Sequence, residues 1–466
     1  MFVGGRWIAS ESGETFEARS PATGEVIATL PKGTRADAVR ALEAAAQARQ
    51  PMAALGAFDR AALLHRVADV MEGRREELAR WLTLDQGKPY KAEALGEVGE
   101  AIEYFRIAAE DIKRLETNVI PSMAKNKLVF TLRIPRGVYA LITPWNWPLT
   151  MATELIAPAL AGGNTIVWAP ATSTSAISVK LMECLAEADL PAGAVNLVTG
   201  PPGVHAVGFT GSAAVGAAVA RQAGPKPLLL ELGGNGPTII LDDADLELAV
   251  EGAAWGAFSN AGQICQSSER ILVDSRVQDA VVEGLVRKAG AIRLGHPLDE
   301  GTTMGPLNNE GVALKMDEHV ADAVDRGASL VTGGRRADGF PTSLYYEATV
   351  LRNVSPAMRV SREETFGPIA PLIPFDDEAD ALAIANDSPY GLLGSVYTRD
   401  IDRALRFAQR LETGWVNVNE SSNYWEAHIP FGGRAGKESG IGRVGGYRAI
   451  EQMTDLKTII VDVQEQ

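Results

Sequence analysis

Cysteine and histidine are scarce in this chain, which holds two of the former, Cys184 and Cys265, and five of the latter. The cysteines form no CxxC pair or ligand-spaced cluster, which removes support for a disulfide scaffold or a thiolate zinc centre. The histidines, His65, His205, His296, His319 and His428, are scattered without an HExxH pattern, so no metal site is expected. Long apolar runs are missing too. No window reaches 18 apolar residues, so no membrane span is expected. The opening MFVGGRWIAS lacks the basic flank and apolar stretch of a signal peptide, and a cytoplasmic location is expected. Positive charge is in deficit: 44 Lys and Arg against 59 Asp and Glu leave a net charge of −15. That surface argues against nucleic acid as a partner.

What remains is ample material for cores. The 466 residues are 46% hydrophobic, and at that length two or three domains are expected. Residues 57–83 and 92–116 carry apolar positions at three and four spacing, the pattern of amphipathic helices. From residue 127 the chain turns to short β-prone runs: KLVFTLR at 127–133, VYALITP at 138–144, TIVWAP at 165–170, VNLVTG at 195–200, VHAVGFTGS at 204–212 and LLLELGG at 228–234. Helical stretches at 150–160 and 174–188 lie between them, which is the βαβ arrangement of a parallel sheet. A second unit begins near Gly234, with helices at 243–259, 277–291, 312–326 and 401–411 and strands at 270–275, 369–375 and 415–419. The last run, LKTIIVDV at 456–463, alternates like a strand but has no partner nearby in sequence. An open edge of this kind needs covering, by another part of the fold or by another subunit.

Three residues stand out chemically. Cys265 lies in FSNAGQICQSSER among small and polar neighbours, whereas Cys184 sits in the amphipathic run VKLMECLAEA and reads as a small buried hydrophobe. Glu231 closes a strongly apolar strand beside paired glycines in ELGGNGP. A carboxylate there is costly unless paired, hydrated or functional, so it is a candidate base or a cap for neighbouring amides. Asn146, between Pro144 and Pro148 in TPWNWP, is a candidate fixed amide donor, although Asn is also an ordinary turn residue. FTGS at 209–212 could present backbone N–H groups to a phosphate, a weak signal by itself.

Taken in order, the motifs SPATGEVI at 20–27, ITPWNWPL at 142–149, FTGS, ELGGNGP and GQIC at 262–265, then EETFGP at 363–368, WVNVN at 415–419, PFGG at 430–433 and SGIGR at 439–443, resemble the NAD(P)-dependent aldehyde dehydrogenase superfamily. The resemblance covers nearly the full length. It implies an α/β fold, aldehyde dehydrogenase-like, with a Rossmann-type cofactor domain over 1–116 and 137–233 and an α/β catalytic domain over 234–433. Segments 117–136 and 434–466 would be oligomerisation and bridging elements, including a small β arm, which implies a homodimer or homotetramer.

The same resemblance implies an oxidation of an aldehyde to a carboxylate through a thiohemiacetal and a thioester on Cys265. Glu231 would serve as base, and Asn146 with the Cys265 backbone N–H as oxyanion hole. A free thiol near pKa 8.5 is only a few per cent ionised at neutral pH, so the mechanism requires activation. The presence of Glu231 favours hydrolysis over transfer to coenzyme A. Cofactor contacts are expected from Thr143, Trp145, Ala169, Thr172, Gly211, Ser212, Glu364 and Phe366. Trp147, Met151, Glu154, Tyr424, Trp425 and Phe431 are placed around the substrate entrance, where the aromatics favour an apolar or aryl aldehyde.

Two departures concern the adenosine half of the cofactor. Ala169 and Thr172 stand where relatives commonly carry lysine and glutamate. Losing the carboxylate favours NADP and losing the lysine weakens either cofactor, so the choice between NAD and NADP stays open. Beyond Gly200 the chain offers only Pro201, Pro202 and Gly203 where relatives have a glycine-started helix. Either the adenine side is open or residues are absent from this stretch. This departure is the sole ground for a rival expectation, a catalytically impaired or noncatalytic member acting as an oligomeric interaction protein.

Overall fold

The computed structural model describes residues 1–199 and 206–463. The short connection at Pro201, Pro202 and Gly203 lies outside them. Two large sheets, each with its own core, hold most of the chain.

The first sheet has eight strands. Its centre is five parallel strands in the order Leu228–Leu232, Ala206–Gly211, Val138–Thr143, Thr165–Pro170 and Val195–Leu197. Strand Val138–Thr143 is buried almost throughout and Thr165–Pro170 is buried up to its last residue, which is why they read as continuous apolar runs rather than alternating ones. Helices Thr150–Ala161 and Ser175–Glu187 make the crossovers. Strand order reverses between Val138–Thr143 and Ala206–Gly211, the first and fourth parallel strands in chain order. The carboxyl ends of strands flanking such a reversal leave a crevice for ligands.

The second sheet has seven strands: Ser329–Thr332, Thr349–Arg352, Ile369–Phe375, Arg270–Asp274, Pro237–Ile240, Leu393–Tyr397 and Trp415–Val418, all parallel to their neighbours except the first. Strand Gly440–Ile441 returns to the first sheet and pairs antiparallel with Leu230 and Glu231.

Two expectations change in detail. The helical run 57–83 is two helices, Ala57–Gly73 and Arg75–Gln86, because Arg74 leaves helical geometry (φ −112°, ψ 17°) directly after Gly73. The run 92–116 starts as the π-helical turn Tyr90–Ala94 and continues as helix Leu95–Ile112. The C-terminal strand does have a partner within this chain. Thr454–Asp462 pairs antiparallel with Lys127–Pro135 over nine positions, in a three-stranded sheet completed by Val119–Ile120.

Candidate active site

Two cavities meet at Cys265. One, of about 180 Å³, is lined by Pro144, Trp145, Thr210, Gly211, Ser212, Glu231, Gly233, Lys315, Glu364 and Phe366 among others. The second, of about 710 Å³, is lined by Trp147, Trp255, Phe258, Tyr424, Trp425 and Phe431 together with several acidic residues. Asn146, Met151 and Cys265 belong to both walls. The sulfur-bearing residue therefore stands between two compartments, as a reaction joining two bound molecules requires.

The loop that carries Cys265 is held in an uncommon backbone shape. Asn260 and Ala261 both have positive φ (48° and 53°) without being glycine. Such strain persists only where surroundings fix it. Here Gln86 Nε2 donates to Asn260 Oδ1 at 3.2 Å, while Asn260 Nδ2 donates to the main-chain oxygens of Asn146 (3.1 Å) and Gln263 (3.2 Å). Asn146 Nδ2 in turn donates to Gln263 O at 3.1 Å. That bond orients the Asn146 amide and leaves its second N–H without an assigned partner, so the residue can act as a fixed donor. On the other side, the backbone of Gly234 passes so close to the Cys265 carbonyl that a Cβ there would lie 2.1 Å from the oxygen. At Gly233 a Cβ would meet the Glu364 carboxylate at 2.6 Å. The paired glycines of ELGGNGP thus let one loop press against both the Cys265 loop and the Glu364 carboxylate.

Glu231 is 3% exposed at the carboxyl end of its strand, and its Oε1 is buried without a partner. Burial, and then the neighbouring Glu154, hold its carboxyl well above the ordinary range. Burial and the facing Glu231 carboxylate likewise push the Cys265 thiol well up. Burial thus disfavours a standing thiolate, so a thiolate forms only as the sulfur attacks. The activation expected from sequence would be a proton transfer from the thiol to an ionised Glu231.

The smaller cavity has features suited to part of a dinucleotide. It opens at the strand reversal, where Pro144 and Trp145 follow one strand and Gly211 and Ser212 end the other. Ser212 caps the eleven-residue helix Ala213–Ala223, whose N-terminal dipole and N–H groups suit a phosphate. Glu364 takes the Gly234 N–H at 2.9 Å, and Phe366 packs edge-on against Trp145 with ring centres 5.5 Å apart.

Other residues expected to contact cofactor or substrate lie away from this wall, among them Ala169 and Thr172, expected at the adenosine half. The Thr143 hydroxyl is buried and accepts the Trp168 indole N–H at 2.9 Å, so its side chain does not line the cavity. Ala169 is buried and Thr172 exposed at the carboxyl end of strand Thr165–Pro170, and neither reaches the wall beside Cys265. Trp147, Met151, Tyr424, Trp425 and Phe431 do line the large cavity. Glu154 does not. It is 1% exposed behind that wall and accepts the Tyr104 hydroxyl at 3.0 Å, because helix Thr150–Ala161 turns that face toward helix Leu95–Ile112.

Three supporting residues escaped the sequence reading. Lys88 and Glu97 form a fully buried ion pair. Lys88 also donates to Asn146 O at 3.1 Å and sits 3.7 Å over the Trp147 ring, while Glu97 Oε1 accepts from Leu149 N at 2.9 Å. Glu269, four residues after Cys265, accepts from the N–H groups of Thr365 (2.8 Å) and Phe366 (2.7 Å). The available signals were weak: Lys88 and Glu97 stand nine residues apart with Lys91 and Glu93 between them, and Glu269 lies in QSSER.

Comparison with known proteins gives the family. The profile described as "Aldehyde dehydrogenase family" matches residues 7–459. Glutarate-semialdehyde dehydrogenase of Pseudomonas putida is 40% identical, over 99% of this chain and 97% of its own. Succinate-semialdehyde dehydrogenase [NADP(+)] GabD of Escherichia coli is 39% identical, over 98% of this chain and 97% of its own. The crystal structure of succinate-semialdehyde dehydrogenase from Burkholderia pseudomallei superimposes with a TM-score of 0.96 at 40% identity, covering 99% of this chain and 97% of that one.

Proposed function

Because the chain belongs to the aldehyde dehydrogenase family, and so oxidises an aldehyde to a carboxylate with NAD(P), we propose that Cys265 is its nucleophile, Glu231 its base and Asn146 its oxyanion donor. Near-complete coverage of both chains in these matches argues against an impaired member acting only as an interaction protein. The observation that carries the residue assignment is the position of Cys265 on the shared wall of two cavities, with Glu231 and Asn146 beside it.

The thiol of Cys265 passes its proton to Glu231 as its sulfur bonds to the aldehyde carbon. The second N–H of Asn146 and the Cys265 backbone N–H hold the oxyanion of the resulting thiohemiacetal; losing one such donor costs on the order of 10²–10³ in rate. A bound nicotinamide dinucleotide supplies the hydride acceptor. With the C–H electron pair gone, the carbonyl re-forms as a thioester on Cys265. Glu231, having released its proton, takes one from water; the hydroxide adds to the thioester, the Cys265 thiolate departs, and a carboxylate leaves. Glu364 and Phe366 would hold the nicotinamide half, with Trp145, Gly211 and Ser212 along the pyrophosphate.

We assign residues 1–116 and 137–233 to cofactor binding, 234–433 to catalysis, and 117–136 with 434–466 to oligomerisation and bridging. The exposed apolar residues of the three-stranded sheet support a homodimer or homotetramer. A nucleophilic cysteine works best where thiols stay reduced, which supports a cytoplasmic location. Among the described residues no helix is long and apolar enough to cross a membrane.

Cofactor reduction followed with a panel of aliphatic and aryl aldehydes tests the assignment. Cys265→Ala abolishes turnover. Glu231→Gln gives a burst of reduced cofactor followed by slow release, because water attack fails while acylation persists. Undiminished steady turnover in the Cys265 variant refutes the covalent route.

A further inference from the structure

The ionisable side chains on the wall of the large cavity are mostly acidic. Glu93, Glu97 and Glu100 project from turn Tyr90–Ala94 and helix Leu95–Ile112, and Glu251 from helix Leu246–Phe258. Lys288 is the one cation on this wall among the described residues, and it is paired with Glu251. Glu97 is taken by Lys88. Glu93 and Glu100 stand in no ion pair among the described residues. Glu93 accepts the Asn260 N–H at 2.8 Å through Oε1, and its Oε2 is buried with no partner. Glu100 accepts only the Thr150 hydroxyl, at 3.3 Å.

Six aromatic residues, Trp147, Trp255, Phe258, Tyr424, Trp425 and Phe431, line the same wall. Trp425 packs against Phe431 and Tyr104 with ring centres 6.2 Å and 5.9 Å apart. Trp147 already carries an ammonium, that of Lys88, over its ring. Aromatic faces beside carboxylates form a surroundings in which a positive charge is favoured and a negative one is not.

Resting on the aldehyde dehydrogenase reading above, we infer that the preferred substrate is an aldehyde bearing an ammonium group, held between the aromatic wall and Glu93 and Glu100 with its carbonyl at Cys265. An aldehyde ending in a carboxylate, as named for the two sequence relatives, would bring its charge toward these acids with no free cation to receive it. Burial pushes Glu93 up and Glu100 up to about 7, and a bound ammonium would draw both toward their ionised forms.

Three aldehydes decide the matter, each with saturating cofactor: trimethylammonioacetaldehyde, its neutral shape match tert-butylacetaldehyde, and succinate semialdehyde. The expected order of kcat/KM is cation, neutral, anion, with about tenfold between the first two. Glu100→Gln reduces the cation-to-neutral ratio severalfold. Direct titration of Cys265→Ala protein with choline and with its neutral tert-butyl analogue gives the same preference without turnover. Equal use of the neutral aldehyde, or preference for succinate semialdehyde, overturns the inference and leaves the dehydrogenase reading standing. Failure to oxidise any of a broad aldehyde panel overturns both.

Discussion

The Tyr104 hydroxyl donates to Glu154 Oε1 at 3.0 Å, and the Glu154 carboxyl is the strongest charged influence on Glu231. Burial takes Glu154 up to about 8, and its Oε2 is buried without a partner. The proposed base therefore works beside a second acid that ionises only under mildly alkaline conditions. Glu154→Gln removes the charge that opposes ionisation of Glu231. The pH limb of thioester hydrolysis should then move to lower pH by about one unit. Stopped-flow measurement of the phase after the burst, across pH, reports this; an unmoved limb means that the two carboxyls are not coupled.

The same burial makes stability depend on pH. Glu154 and Glu269 are each raised to about 8 and Glu100 to about 7, all from an ordinary 4.5. Such a carboxyl binds its proton more tightly in the folded state than in the unfolded one. Its contribution is complete below the ordinary value and is lost as pH climbs through 7 to 8. Tm should fall between pH 6 and pH 9, and Glu154→Gln should flatten that slope. A loss of about 1 kcal/mol corresponds to roughly 2–4 °C in a domain of this size class. Scanning fluorimetry at constant ionic strength measures it, and a Tm rising with pH contradicts it.

Lys88 and Glu97 tie the Asn146 turn to helix Leu95–Ile112. Removing one partner leaves a buried charge alone, which costs about 3–5 kcal/mol, whereas removing both costs less. Lys88→Met should lower both Tm and kcat, the latter because the Asn146 carbonyl loses its anchor. Lys88→Met with Glu97→Gln should regain much of the Tm but little of the kcat. Additive losses of stability in the double variant would rule out direct coupling.

The parallel strands of the first sheet could be read because they are buried on both faces and appear as unbroken apolar runs. Cys265, Glu231 and Asn146 stood out as candidates from their local settings (small neighbours, a costly carboxylate, a turn between prolines), and the family resemblance supplied their proposed roles. Glu154 was misplaced because its position depends on which face of helix Thr150–Ala161 meets helix Leu95–Ile112, a tertiary fact with no local signature. The Lys88–Glu97 pair and Glu269 were missed for the same reason. Their partners lie far along the chain, and the pairing exists only after the two sheets are assembled. The strand at Thr454–Asp462 showed its period but not its partner, more than three hundred residues earlier.

Glu269 joins the nucleophile loop to the cofactor wall. Its two oxygens accept the consecutive backbone N–H groups of Thr365 and Phe366, and Phe366 has a positive φ of 61°. Glutamine keeps one acceptor and faces the other N–H with a donor, a loss of about 1–3 kcal/mol. Glu269→Gln should raise the cofactor KM about five- to tenfold while changing the aldehyde KM little, since Glu364 and Phe366 hang from this contact and the aldehyde wall does not. Calorimetric titration of cofactor gives the same shift without turnover. Equal changes in both KM values would mean a general loosening instead of a local one.

The three-stranded sheet supplies the final expectation. Among the described residues strand Thr454–Asp462 is paired on one edge only, by Lys127–Pro135, and Val119, Leu456 and Ile460 are 73%, 54% and 65% exposed. An open edge with apolar side chains on it templates pairing with another chain unless it is covered. A second copy presenting a sheet edge would cover it and bury those side chains at once. Ile460→Lys places a charge in that contact without touching either core, so the monomer should keep its circular dichroism while its mass by light scattering falls from that of a dimer or tetramer. Single-subunit mass in the unsubstituted protein would rule the oligomer out, and an unchanged oligomer in the variant would place the contact elsewhere, because a buried lysine without a partner is not tolerated at an interface.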